Sequence, residues 1–385
     1  MSGKIFLVAA EASGDALGAD LIAALKARDP ALEIAGIGGE AMARAGAPSR
    51  IDISGLAVLG FIDGLLAYKR VVAAADAAAA AILDAAPDAV VLIDSWGFTL
   101  RVAQRVRAQA PHIPLIKYIG PQVWATRPGR AETLAQIVDH LICIHDFEVP
   151  FYAPYNLPCT VCGHPAVGRY KPGDGAAFRA RHGLKPDELL LAVLPGSRKS
   201  EIRRVGPTLW AAAARLQASR PELRVMLVAA QSVTREAKAQ APEGVLIIDE
   251  AEKEDCFAAA DVALAASGTV TTEVALQKTP LVIGYKMGWI TWAIARAFLF
   301  KGKYATLMNV AADAEIAPEF IQTRFTPANL ARAAGRLLDD PAARAAQIEA
   351  QERALDSMGR AGPPAADIAA DAVLGVIGNK REALP

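Results

Sequence analysis

The sequence predicts an α/β protein of two doubly wound, Rossmann-like domains facing a cleft. Three observations carry that prediction. Strand-like apolar runs alternate with helical runs, which calls for parallel sheets joined by right-handed crossovers. The alternation occurs twice, on either side of 166–187, a stretch rich in Gly, Pro and charge. At 385 residues the chain is long enough to give each domain its own core.

The predicted strands of the first half are 4–10, 33–37, 89–93, 114–119, 140–144 and 159–162. Those of the second are 189–194, 224–229, 245–248, 262–266, 280–285 and 306–310. Helical runs such as 18–28 and 68–85 lie between them. We place the first domain at 1–168, a linker at 169–187 and the second domain at 188–345. C-terminal helices at 346–385 are expected to pack back toward the first domain, the last of them, near 365–375, following the break at Pro363-Pro364.

In chain order, the first candidate turn is Glu11-Ala12-Ser13-Gly14-Asp15. It follows a strand and opens a helix, the usual ligand position in an open α/β sheet. Its glycines lack dinucleotide spacing, and its acids suit sugar hydroxyls better than phosphate. The competing reading is a capped helix with acids at the positive end of its dipole. The run 56–66 contains Leu59, Phe61, Ile62, Leu65 and Leu66 and precedes Tyr68-Lys69-Arg70. An apolar face with a basic, aromatic edge suits a membrane interface or an acyl chain, and core burial is the alternative. Asp94 closes the third strand as a candidate acid or base. After the fourth strand, Arg127 and Arg130 are placed to hold an acidic substrate group, or are solvated arginines before a helix.

The stretch most informative about chemistry is Leu194-Pro195-Gly196-Ser197-Arg198-Lys199-Ser200-Glu201-Ile202. An apolar strand, a Pro-Gly turn and a helix start put free N–H groups and a positive dipole end at one spot, which suits phosphate. Arg198 adds a planar cation able to grip two oxygens. Helical spacing of Val205, Leu209, Ala212, Ala213 and Leu216 supports the helix. A second strand-turn-helix, at Ser267-Gly268-Thr269 with Glu273, offers hydroxyls, a close backbone approach and an acceptor for ribose hydroxyls. One basic and one acidic turn in the same half describe a nucleotide. Further on, Trp289 to Phe300 is a second apolar segment, interrupted by Arg296 and followed by Lys301 and Lys303. Asn309, Glu319 and Gln322 come after it, where the chain returns toward the cleft.

Composition narrows the classes. Lys plus Arg and Asp plus Glu each total 41, so no charge excess favours nucleic acid. Cys143, Cys159, Cys162 and Cys256 do not make a disulfide framework in a chain of this length. Cys159 and Cys162 beside His164 lack a second pair at ligand spacing, so we assign no metal. No apolar run reaches signal-peptide or membrane-spanning length, so a cytoplasmic protein is expected, able to touch a membrane surface.

Several motifs together resemble the lipid-A-disaccharide synthase family. They are Ala10-Glu11-Ala12-Ser13-Gly14-Asp15, Gly36-Ile37-Gly38-Gly39, Pro121-Gln122-Val123-Trp124-Ala125, Gly163-His164-Pro165, Leu194-Pro195-Gly196-Ser197-Arg198, Ser267-Gly268-Thr269 with Glu273, and Pro318-Glu319-Phe320-Ile321-Gln322. They run in order through essentially the whole chain. The resemblance implies an inverting, metal-independent GT-B glycosyltransferase without a cofactor. It implies transfer of 2,3-diacylglucosamine from its UDP derivative to 2,3-diacylglucosamine 1-phosphate, at the inner face of the inner membrane. The implied UDP-sugar contacts are Ser13, Gly14, Gly196, Ser197, Arg198, Ser267, Gly268, Thr269, Glu273, Asn309, Glu319 and Gln322. The chain is expected to be a monomer or homodimer.

Two departures stand out. Where the family usually has Pro-Asp-Phe-Asn, this chain has Trp96-Gly97-Phe98-Thr99, so the family's acidic residue is Gly97 here. Where the family has Trp-Ala-Trp-Arg, this chain has Trp124-Ala125-Thr126-Arg127. The proton acceptor is therefore sought at Asp94, then Glu11, with Asp15 as a further candidate. Two other functions share the architecture: a nucleotide-sugar 2-epimerase, and a UDP-sugar-binding protein without turnover.

Overall fold

The structure is a computed structural model that describes residues 3–49, 51, 64–124, 126–168, 170–230, 233–288 and 303–382. The chain divides into two compact units, Met1–Pro165 with Gly362–Pro385, and Ala166–Ala361.

The first unit holds a six-stranded sheet in the order β2-β1-β3-β4-β5-β6. Its strands are β1 (Lys4–Val8), β2 (Glu33–Ile37), β3 (Ala89–Ile93), β4 (Leu115–Tyr118), β5 (His140–Cys143) and β6 (Cys159–Val161). All of its pairings are parallel, with Val8 opposite Leu92 and Ile93 opposite Tyr118. Both faces are covered, which explains why β3 is a continuous apolar run rather than an alternating one. Val90 and Leu92 pack in one layer with Ala75, Ala79 and Ile82. Ala89, Val91 and Ile93 pack in the other, with Leu21, Leu25, Ala369 and Val373. The last helix, Ala365–Glu382, is held in this unit by Arg28, whose guanidinium donates to Asp367 and Asp371, one helical turn apart.

The second unit repeats the device in the order β12-β11-β10-β7-β8-β9. Its strands are β7 (Leu190–Leu194), β8 (Arg224–Val228), β9 (Leu246–Ile248), β10 (Val262–Ala266), β11 (Leu281–Tyr285) and β12 (Glu319–Ile321), again all parallel. The predicted strand at 306–310 is instead a helix, Leu307–Ala311, and β12 takes the outer edge. A five-residue apolar run fits either form. Tertiary contacts decide it here: fully buried Asn309 accepts from the N–H groups of Ile316 and Ala317 and donates to the Ala317 carbonyl.

Two boundaries differ from expectation. The stretch 169–187 carries a helix, Gly175–Arg181, and belongs to the second unit. The helix Pro341–Ser357 also belongs there, because Gln347 exchanges hydrogen bonds with the backbone of Leu281 on β11. Of the C-terminal helices, Ala365–Glu382 alone joins the first unit.

Leu59, Phe61 and Ile62, and the run 289–300, lie outside the described residues; Leu65 and Leu66 fall in the first turn of the helix Gly64–Ala85. No helix among the described residues is long and apolar enough to cross a membrane.

Candidate active site

In each sheet the strand order reverses direction at one point, and loops at the carboxyl ends of the strands diverge there to leave room for a ligand. In the second unit that point lies between β7 and β10. A cavity of about 280 Å³ opens there, lined by the loops after both strands, by Val228 to Ala230 at the end of β8, and by Glu250, Lys253 and Phe257.

The loop after β7 turns at Gly196, whose φ of +117° is a conformation that other residues rarely adopt. Arg198 then stands at the N-cap position of the helix Lys199–Ser219. The Ser197 N–H donates to Glu201 Oε2 at 3.1 Å, and Arg198 Nη1 donates to Glu201 Oε1 at 3.2 Å. The Glu201 carboxylate thus occupies donors that the turn would offer to a phosphate, while the Arg198 side chain is exposed.

Across the cavity, Ser267 continues from β10 and Gly268 and Thr269 are exposed. Thr271 turns inward and donates to the Gly268 carbonyl at 2.7 Å, bracing the turn rather than facing the cavity. Glu273 Oε2 pairs with Lys253 Nζ at 2.8 Å. Burial alone would lower the Lys253 pKa, but Glu273, with help from Glu254 and Glu250, raises it. The cavity therefore presents a carboxylate and an ammonium side by side. Lys253 is not distinguished in the sequence; the run from Glu250 to Asp255 reads as a solvated face.

Asn309, Glu319 and Gln322 are placed together, but as braces. Glu319 accepts from the N–H groups of Ala305 and Thr306 and from the Thr306 hydroxyl. Gln322 accepts from the Met287 N–H at 2.8 Å and donates to its carbonyl. All three are buried and lie off the cavity lining. Polar groups this buried are explained by the backbone groups they satisfy.

In the first unit the reversal lies between β1 and β3. Glu11 and Ser13 are exposed at the start of the helix Ala12–Arg28, and Gly14 is buried where a Cβ would meet Ala9 and Ile93. Ser13 Oγ donates to Asp94 Oδ2 at 3.3 Å, so a hydroxyl and a carboxylate straddle the reversal. Asp15 points the other way. Its two oxygens accept from the N–H groups of Gly39, Ala41 and Met42 at 2.7, 2.9 and 3.0 Å. It caps the short helix Glu40–Arg44, and its carboxylate is engaged in that task.

Gly97 is exposed, and the space where its side chain would be is open, with Arg101 Nη1 3.9 Å from an ideal Cβ. The Arg130 guanidinium lies over the Trp96 ring at 5.1 Å. Burial, and secondly the charge of Arg127, push its pKa below the usual arginine value. Arg127 is exposed at a φ of +50°. Two cations close enough to repel make a suitable anion seat. His145 and His164, with ring centroids 6.0 Å apart, are pushed to about 3 and about 4 by burial, so both rings are neutral at pH 7.

A sequence model of the lipid-A-disaccharide synthetase family matches residues 5–371. The lipid-A-disaccharide synthase of Rhodospirillum centenum is 40% identical over 379 residues, covering 97% of this chain and 94% of its own. Among solved structures, the calicheamicin glycosyltransferase CalG4 superposes with a TM-score of 0.61 at 18% identity, covering 98% of both chains. A UDP-GlcNAc 2-epimerase of Neisseria meningitidis does so with a TM-score of 0.61 at 11% identity, covering 97% of this chain and all of its own. At those identities the two structures speak for the GT-B fold alone, and they do not favour the epimerase reading. The match along nearly the whole sequence is the informative one: the chain belongs to the lipid-A-disaccharide synthase family.

Proposed function

We propose that the protein transfers 2,3-diacylglucosamine from UDP to the 6-hydroxyl of 2,3-diacylglucosamine 1-phosphate, forming a β-1,6 disaccharide and releasing UDP. The observation that carries this reading, together with family membership, is the cavity between β7 and β10. It sets Ser197, Arg198 and the helix start opposite Glu273 and Lys253. The pyrophosphate is assigned to Gly196, Ser197 and Arg198. The ribose is assigned to Glu273, with Ser267, Gly268 and Thr269 lining the approach.

The first unit supplies the acceptor side. Arg127 and Arg130 are assigned to its 1-phosphate. As the 6-hydroxyl oxygen bonds to the anomeric carbon, its proton passes to Asp94, with Ser13 as hydrogen-bonded neighbour, and the bond from that carbon to the phosphate oxygen breaks. Displacement from the opposite face inverts the centre. Negative charge develops on UDP, where Arg198 and the helix start stabilise it. Glu11 is the alternative acceptor. Asp15 is assigned to holding the Gly38-Gly39 loop, and Asn309, Glu319 and Gln322 to bracing.

Binding at the inner face of the inner membrane is assigned to Leu59, Phe61, Ile62, Leu65 and Leu66, with Lys69 and Arg70 near anionic head groups. Changing three of the apolar residues to Ser should release the protein from anionic vesicles without lowering its melting temperature; a large stability loss would make the segment ordinary core. The function itself is tested by incubating the protein with both acylated sugars and measuring free UDP. UDP binding without turnover would instead mark a binding protein, with Gly97 as the lost function.

A further inference from the structure

The turn that carries Asp94 is strained and is held from below by a buried lysine. Asp94 and Ser95 have φ of +47° and +39°, two consecutive non-glycine residues in the left-handed region. Such residues persist only where their surroundings over-determine them. The Asp94 N–H donates to the Tyr118 carbonyl at 3.0 Å. The Asp94 carbonyl accepts from the Thr99 hydroxyl at 2.9 Å and from the ammonium of Lys117. Lys117 Nζ also donates to Thr99 Oγ1 at 3.0 Å, and that oxygen lies 3.0 Å from the Ser95 carbonyl.

Lys117 is 2% exposed in the middle of β4. Around it are Leu92 of β3, Trp96, Leu100 and Ala103 of the helix Trp96–Gln109, Leu134 of the helix Arg130–Ala135, and Val138. Asp94 is the charged neighbour that acts on it, and burial nevertheless pushes its amine down to about 7. An apolar side chain would fill this space without that penalty, so packing does not account for an amine here.

We propose that Lys117 is a positioning residue for the transfer: its amine fixes the Asp94–Ser95 turn, and with it the direction of the Asp94 carboxylate toward Ser13 and the acceptor hydroxyl. This rests on the reading of Asp94 as proton acceptor. It also gives the Trp96-Gly97 departure a consequence. With no carboxylate at Gly97, the reaction depends on a group whose backbone the fold must clamp.

The test compares Lys117→Met, Asp94→Asn and the double variant in turnover, KM for the UDP-sugar, and melting temperature. Lys117→Met keeps the apolar stem and removes the amine. Its kcat should fall by about tenfold to a hundredfold, the range of a small misplacement. KM should stay within about twofold and the melting temperature should hold or rise. The double variant should be no slower than Asp94→Asn, because both changes act on one group. Normal turnover in Lys117→Met beside a slow Asp94→Asn overturns this inference and leaves the base assignment standing. Normal turnover in Asp94→Asn overturns the base assignment, whatever Lys117→Met does. Multiplying defects in the double variant would place the action of Lys117 elsewhere and overturn the inference. Lys117→Leu, which has no donor, supplies the same comparison should the methionine variant not fold.

Discussion

The two units solve the same topological problem with opposite chemistry. Each has a parallel sheet whose order reverses once, and each reversal is flanked by two loops at strand carboxyl ends. In the second unit the loops stand apart around about 280 Å³, and an arginine, a lysine and three carboxylates line the space. In the first unit Ser13 bridges to Asp94, and the turn beneath is filled by Lys117 and Thr99. An open point with mixed charge suits a nucleotide; a tightly braced point with a carboxylate beside a hydroxyl suits a proton transfer. Topology fixes where a site lies, and the loop side chains fix what it does.

The sharpest way to break this contrast is Asp94→Asn. It keeps the shape and removes the basicity, so turnover should fall by about 10²-fold or more while UDP affinity, measured by calorimetry, is unchanged. Normal turnover in that variant beside a dead Glu11→Gln would move the proton acceptor to the first helix. The converse variants are Arg198→Ala and Glu273→Ala. Each should weaken UDP binding by about 10- to 100-fold, as expected for losing a charged hydrogen bond worth about 1.5–3 kcal/mol. Unchanged affinity in both would remove the nucleotide from the second unit.

A third measurement concerns the brace. The Lys117 amine goes from the usual 10.5 to about 7 on folding. Between those values the unfolded chain holds the extra proton, so folding stability rises with pH across that window; below it the full cost of the buried ammonium is present. The gain at pH 9 over pH 7 should amount to about 1–3 kcal/mol, given about 1.4 kcal/mol per tenfold. Thermal melts of Lys117→Met should lack that part of the rise, and identical pH profiles would show that the amine is not desolvated. The smallest expected effect is at Glu201. Glu201→Gln removes a negative charge beside the proposed pyrophosphate seat, so UDP should bind about threefold more tightly, an effect of order 0.6 kcal/mol. Weaker binding would instead show that Glu201 holds Ser197 and Arg198 in their useful positions.

Much of the architecture was legible because it rests on short-range rules. Eleven of the twelve predicted strands exist as strands, since apolar runs between turn residues have few other uses in a chain of this pattern. The exception, 306–310, was too short for periodicity to decide. The turns at Gly196 and Gly268 were visible because glycine, proline and hydroxyl residues mark such turns directly. Asp15, Asn309, Glu319 and Gln322 were visible as distinctive polar residues, but their partners are mostly backbone groups outside their own motifs. Asp15, for example, bonds to Gly39, Ala41 and Met42. Lys253 carried no signal among its charged neighbours. Lys117 carries one, a lysine inside the buried run Leu115 to Tyr118.

By itself, then, the sequence determined the two parallel sheets, the loops that hold the phosphate-type and hydroxyl-type turns, and the family, because each follows from residue order within a few turns of chain. Only the tertiary structure decided which polar residues face the cavity and which are consumed as braces. That choice depends on which distant backbone N–H groups need an acceptor. It also decided that an amine stands beneath Asp94, because β4 lies beside β3 in the sheet and brings Lys117 under a turn 23 residues earlier in the chain.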